Sequence, residues 1–237
     1  MHWVEELRQH LGRAKALRAV ANTDPRMSAD RLRLRAWQAE RLAATYRDLL
    51  DSERYSAAAR FFLTDLYGPK DFSERDHEVE RILPTLAAAL PASGIRTVAL
   101  AIEVDALSEE LDAAMVAELR RARAMAKIGE KTYAEAYRRC GRRAQRELQL
   151  ELIGEIGEAL AALVRKPLVH AGLRLMRAPA RLAGLAELHA FLEDGYNAFH
   201  RMGDPSEFLD TITTRETVIL RQLYDGDARP FDIPGNA

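Results

Sequence analysis

Apolar residues recur along this chain at three- and four-residue intervals, the spacing of helices that bury one face. Trp3, Leu7, Leu11 and Ala14 form the first such stripe, so a helix is expected from about Trp3 to Val20, ended by Asn22-Thr23-Asp24-Pro25. A second starts near Ser28 and carries Leu34, Trp37, Leu42, Tyr46, Leu49 and Leu50. Ser52 is placed to cap a third, which runs through Phe61 and Phe62 to Tyr67. Gly68 accepts a left-handed backbone and Pro69 cannot continue a helix, so the chain turns there. Beyond the turn, Ser73 with Asp76, or Asp71 with Glu74, resembles a capping box opening a fourth helix that meets Pro84.

The stretch Phe61 to Arg81 therefore reads as an elbow between two buried helices, with opposed charges at its mouth. Its plainer reading is that Asp71, Arg75 and Asp76 only cap and pin the corner, since local charge networks are more often structural than functional.

The fifth helix, from about Ile95 to Ala124, carries two patterns. Leu100, Val104, Leu107, Leu111 and Met115 form a core-facing stripe. On the opposite side Asp105, Glu109 and Asp112 follow at i, i+4 and i+7, flanked by Val98, Ile102 and Val116. Helices usually expose their acids, which makes a solvated face the ordinary expectation. If the band is buried it needs cations, and Arg75 or Arg81 of the preceding helix are the nearest in sequence. In that case a structural ion pair is expected rather than a ligand site.

Thr132 with Glu135 reads as a capping box for a short helix ending at Cys140-Gly141. Leu148, Leu152, Ile156, Leu160 and Leu163 give the inner stripe of the next helix. Pro167 and Pro179 sit where new helices would begin. The second of these carries Leu182, Leu185, Leu188, Leu192, Tyr196 and Phe199 as its stripe. Asp204-Pro205 caps a last helix with Phe208, Ile212, Ile219, Leu220 and Leu223. No segment alternates as a strand does, and no repeat period is evident. The expectation is a single all-α domain over residues 1–225, a bundle of roughly eight or nine helices, with a loosely ordered tail over 226–237.

Composition narrows the function classes. The chain has 237 residues, 48% of them hydrophobic, enough for a substantial core. A formal net charge of −1 removes the basic excess that a nucleic-acid binder would show. Thirty of the thirty-five basic residues are arginines, which suits bidentate pairing with carboxylates between helices. Arg138, Arg139, Arg142, Arg143 and Arg146 cluster, but Glu147, Glu151, Glu155 and Glu158 follow, as on a helix surface laced with ion pairs. Cys140 is the single cysteine, so no internal disulfide forms. The absence of a signal-peptide run or a long apolar stretch leads to the expectation of a cytoplasmic protein without membrane spans.

Motifs for catalysis are missing: no HExxH, no pair of ExxH motifs and no phosphate-binding glycine loop. His189 and His200 share a helix but stand three turns apart, too far for one metal ion. His170, in PLVHAGLRLM, has the apolar company that a haem ligand would want, although a helical histidine is far more often packed or at the surface. Cys140 sits among arginines that would lower its pKa if they acted on it; surface decoration is the better reading.

Three segments carry a resemblance: FFLTDLYGPKDFSERD, the EVDALSEELD of Glu103 to Asp112, and RLMRAPARLAGL. Together they resemble a family of uncharacterised bacterial helical proteins, from about Trp37 to Tyr224. The resemblance implies a single helical unit of bacterial origin and brings no activity, cofactor or catalytic residue with it. The leading expectation is a non-enzymatic regulatory or scaffolding module that binds a protein partner or itself, without a cofactor. The alternative is a bundle with a small-molecule pocket between the elbow and the acidic face, formed by Tyr67, Asp71, Arg75, Asp76, Arg81, Asp105, Glu109 and Asp112. A haem-binding helical protein is the third. An exposed apolar patch would favour the partner reading, and a cavity lined by Asp105 and Glu109 the ligand reading.

Overall fold

In the computed structural model, the residues described are 2–66, 78, 81 and 92–233. Among them the architecture is all-helical, with ten α-helices and one π-helical turn and no strand. Helices α1 (His2–Asn22) and α2 (Pro25–Thr45) are separated by a sharp corner. There the Asp24 carboxylate accepts the backbone N–H of Arg26 and Pro25 fills the first helical position. The expected second helix does not run through to Leu50. It breaks at Tyr46, beyond which Arg47–Asp51 forms the short α3. Tyr46 is buried, and its hydroxyl donates to Glu216 at 2.8 Å, a partner far along the chain that no local pattern announces.

Helix α4 (Ser56–Phe61) passes into a π-helical turn, Phe62–Leu66. Phe61 and Phe62 are both buried, as expected. The remainder of the elbow, from Tyr67 to His77, lies outside the described residues, as does Pro84. Helix α5 (Ala92–Arg121) is the central element, packed by α1 and α2 on one side and by α7 (Arg143–Val164) on another. Leu100, Leu107 and Leu111 meet Leu152 of α7 in one apolar cluster. Met115, Val116 and Leu119 join Leu34 and the tyrosines of α6 (Glu130–Arg139) in a second.

Thr132 does not cap α6 from outside. It lies within the first turn and its hydroxyl accepts the N–H of Gly129 at 3.0 Å. Along α7 the buried face is turned from the expected one: Leu152 is buried, but Leu148 is 40% exposed while Arg146 lies inside, its guanidinium 4.6 Å from the ring centre of Tyr137.

Pro179 does not begin a helix. Helix α8 runs from Pro167 to Leu182 and contains Pro179 in its last turn, then ends at Gly184, whose φ of 66° suits glycine. Helix α9 (Ala186–Met202) returns along α8 and against α4, and α10 (Ser206–Asp225) closes the bundle against α7 and α6. The N-cap of α10 is Pro205, one residue later than expected, and Asp204 before it accepts the N–H of Ser206 at 3.1 Å. The largest apolar cluster joins Phe61, Phe62, Phe199 and Phe208 with Tyr55 and Tyr196. Of the tail expected to be loose, the described part is docked: Pro230 is buried and Phe231 packs 5.8 Å from the Trp37 ring and 6.0 Å from that of Tyr133.

Candidate functional site

The acidic band of α5 is buried at Glu109 and Asp112 and partly buried at Asp105. Glu109 retains 2% of its accessible surface, and Asp112 is also buried. Their cations come from the first two helices. Arg18 Nε donates to Glu109 Oε1 at 3.0 Å and its Nη2 reaches Asp105; Arg35 spans Glu109 and Asp112, the latter at 3.1 Å. Arg31 pairs with the other oxygen of Glu109. Three arginines thus face three carboxylates, and Gln38 adds a bond of 3.3 Å to Asp112. Among the described residues, each of the three carboxylates has an arginine partner and the charges balance.

Arg81, one of the two expected cations, does not enter this network. Arg81 is exposed and donates to the carbonyl of Gly184, at the end of α8. Tyr67, Asp71, Arg75 and Asp76 lie outside the described residues. The true partners carried a sequence signal. Arg18 occupies the next position of the stripe Leu7, Leu11, Ala14, and all four are buried. Arg31, Leu34, Arg35 and Gln38 likewise fall on one face of α2 at i, i+3, i+4 and i+7. Arginines standing where leucines are due imply buried carboxylates opposite.

His170 is not in an apolar pocket. It is exposed, and its ring stacks 5.3 Å from Tyr196, with His200 5.5 Å from the tyrosine and 6.3 Å from His170. The three rings line an open cavity of about 610 Å³ that also touches Arg165 and Asp204. A haem needs an enclosed apolar slot around its axial ligand, which this shallow, half-polar hollow does not provide. Among the described residues no cluster of three or more histidine, cysteine, aspartate or glutamate side chains is set to hold a metal ion. The buried histidine of the pair on α9 is His189, whose Nε2 lies 2.8 Å from the Leu173 carbonyl, a link between α8 and α9.

Cys140 is half-buried with its thiol toward the Met115 sulfur at 3.7 Å. Burial pushes its pKa up, against the pull of Arg146. Its arginine-rich setting therefore does not activate it. Alkylation by iodoacetamide at neutral pH is expected to run well below the rate of glutathione under the same conditions. A rate equal to or above that of glutathione would contradict the burial argument.

The feature that sequence reasoning missed is the outer face of α8. Leu168, Leu175 and Leu182 are 83%, 77% and 91% exposed, and Met176 beside them is more than half exposed. The opposite face of the same helix is the one that packs, through Val169, Leu173 and the buried Ala180. Arg174 and Arg181 stand exposed along one border of the leucine row, while Arg177 is tied to Glu193 of α9 at 3.2 Å. No acidic residue occurs between Pro167 and Leu182. The seven-residue leucine spacing was visible, but reading Pro179 as a helix start split it.

Among the described residues no helix is long and apolar enough to cross a membrane. A family model described as Domain of unknown function (DUF8198) matches residues 17–230, in keeping with the resemblance to a helical family without an assigned activity. No curated protein and no solved structure matches the chain at a significant level.

Proposed function

We propose that this chain, which belongs to the family described as Domain of unknown function (DUF8198), is a non-enzymatic interaction module that binds a protein partner through the outer face of α8. The observation that carries the reading is the row Leu168, Leu175, Leu182, left in water on a helix whose other side already packs the core. Covering one leucine side chain is worth about 1.5–3 kcal/mol, so an open row of three is a driving force for association. Apolar side chains gathered along one exposed helix face in this way mark an interaction site. A bacterial origin, implied by the motif resemblance, and a cytoplasmic setting are part of the same proposal. The small-molecule reading at the acidic band has less support, because Arg18, Arg31 and Arg35 already neutralise the three carboxylates.

The test is photocrosslinking in native cells from a benzophenone amino acid at position 175, with position 217 on exposed α10 surface as control. A discrete adduct from position 175 and none from 217 is the expected result. No adduct at 175, or the same smear from both sites, would remove the reading.

A further inference from the structure

Resting on that reading, we infer that the partner of α8 is an acidic amphipathic helix, seated on Leu168, Leu175 and Leu182 with its carboxylates on Arg174 and Arg181. An α-helix turns 3.6 residues per cycle, so positions seven apart drift only about 20° and stay on one line. If Leu168, Leu175 and Leu182 are taken as the a positions of a heptad, Ala171 and Ala178 fall at d, small enough for a second helix to approach closely. Arg174 and Arg181 then occupy both g positions. Charges at e and g choose the partner of a helix pair, and here they present only cations. Neither arginine has an acidic partner among the described residues, and α8 itself supplies no acid.

That charge pattern separates the candidate occupants. In an antiparallel pair of two copies, g faces g, which sets Arg174 and Arg181 against like charges. In a parallel pair, g faces e, where this chain has Gly172 and Pro179 and therefore no counter-ion. A second copy is disfavoured in both arrangements. An anionic lipid surface would meet the arginines, but the row is narrow and has no aromatic residue. A helix with apolar a and d positions and glutamates at e and g satisfies both the leucines and the cations.

The probe is a labelled synthetic peptide of three heptads with leucine at a, alanine at d and glutamate at e and g, titrated by fluorescence anisotropy. Its counterpart carries lysine at e and g. The glutamate peptide is expected to bind the full chain, with affinity falling as salt rises, and the lysine peptide to bind at least about tenfold more weakly. Arg174→Glu/Arg181→Glu should invert this preference, and Leu175→Asp should abolish binding of both peptides. All these positions are exposed, so an unchanged melting temperature confirms that the variants fold. Equal binding of the two peptides, or no inversion in the double variant, overturns the acidic helix. So does binding to phosphatidylglycerol-containing vesicles without binding to either peptide, or a dimer of the chain that Arg174→Glu strengthens. If a discrete crosslink at position 175 persists while the glutamate peptide fails, the partner chemistry is wrong and the interaction module stands.

Discussion

Replacing Glu109 with alanine is expected to destabilise the fold by about 3–5 kcal/mol, since removing one member of a buried charge network strands the others. Glu109 is the hub: Arg18, Arg31 and Arg35 all reach its two oxygens, from α1 and α2. Asp105 and Asp112 would remain to face three guanidinium groups, one of them uncompensated and away from water. The double variant Arg31→Met/Glu109→Met separates charge stranding from simple loss of packing. It leaves Arg18 with Asp105 and Arg35 with Asp112, two balanced pairs. Buried ion pairs can be replaced by apolar side chains of similar volume at little cost. The double variant should therefore recover most of what the single variant loses. Urea midpoints at constant slope measure both. A single-variant loss within about 0.5 kcal/mol is the size expected of a surface site and would mean that the network is hydrated. A double variant no better than the single one would place the cost in packing rather than in charge.

Most of the helical layout was legible because helices announce themselves locally. The three- and four-residue spacing of Leu7, Leu11 and Ala14, or of Leu100, Val104, Leu107 and Leu111, requires no knowledge of what lies opposite. What failed depends on the opposite surface. The second helix breaks at Tyr46 to bring a phenol to Glu216, 170 residues on. The inner face of α7 turns toward Arg146 because Tyr137 offers that guanidinium a ring. Leu182 and Leu192, placed in a buried stripe by periodicity, are exposed, because α8 continues past Pro179 and turns that stripe outward at its start. A proline in the last turn removes a single backbone donor where few hydrogen bonds remain, so the helix tolerates it there.

The candidate site was half legible for the same reason. The carboxylates of Asp105, Glu109 and Asp112 were recognisable as a band, and their flanking valines and isoleucine hinted at burial. Their partners could not be chosen by closeness in sequence, because packing placed α1 and α2 against that side of α5. The better rule is chemical: an arginine in phase with a leucine stripe is itself evidence of a buried acid. Arg18 satisfies that rule through Leu7, Leu11 and Ala14.

Phe62→Ala is the second large expected effect, about 3–5 kcal/mol for a buried aromatic ring whose space cannot be refilled. The ring is enclosed by Phe208 at 5.7 Å and Phe199 at 6.1 Å between centres, with Phe61 edge-on at 6.4 Å. These rings belong to three different segments: α4 with its π-helical turn, α9 and α10. Deleting the ring of Phe62 therefore loosens the joint at which those segments meet, rather than one helix alone. The neighbours have little freedom to collapse into the gap, since Phe199 and Phe208 are fully enclosed by other groups. Phe62→Leu fills part of the volume and should lose less than Phe62→Ala. Leu148→Ala, at the exposed position on α7, should stay within about 0.5 kcal/mol and serves as the control. A Phe62→Ala loss below about 1 kcal/mol by urea unfolding would mean the ring is peripheral, and the aromatic cluster would then not be what holds α4, α9 and α10 together.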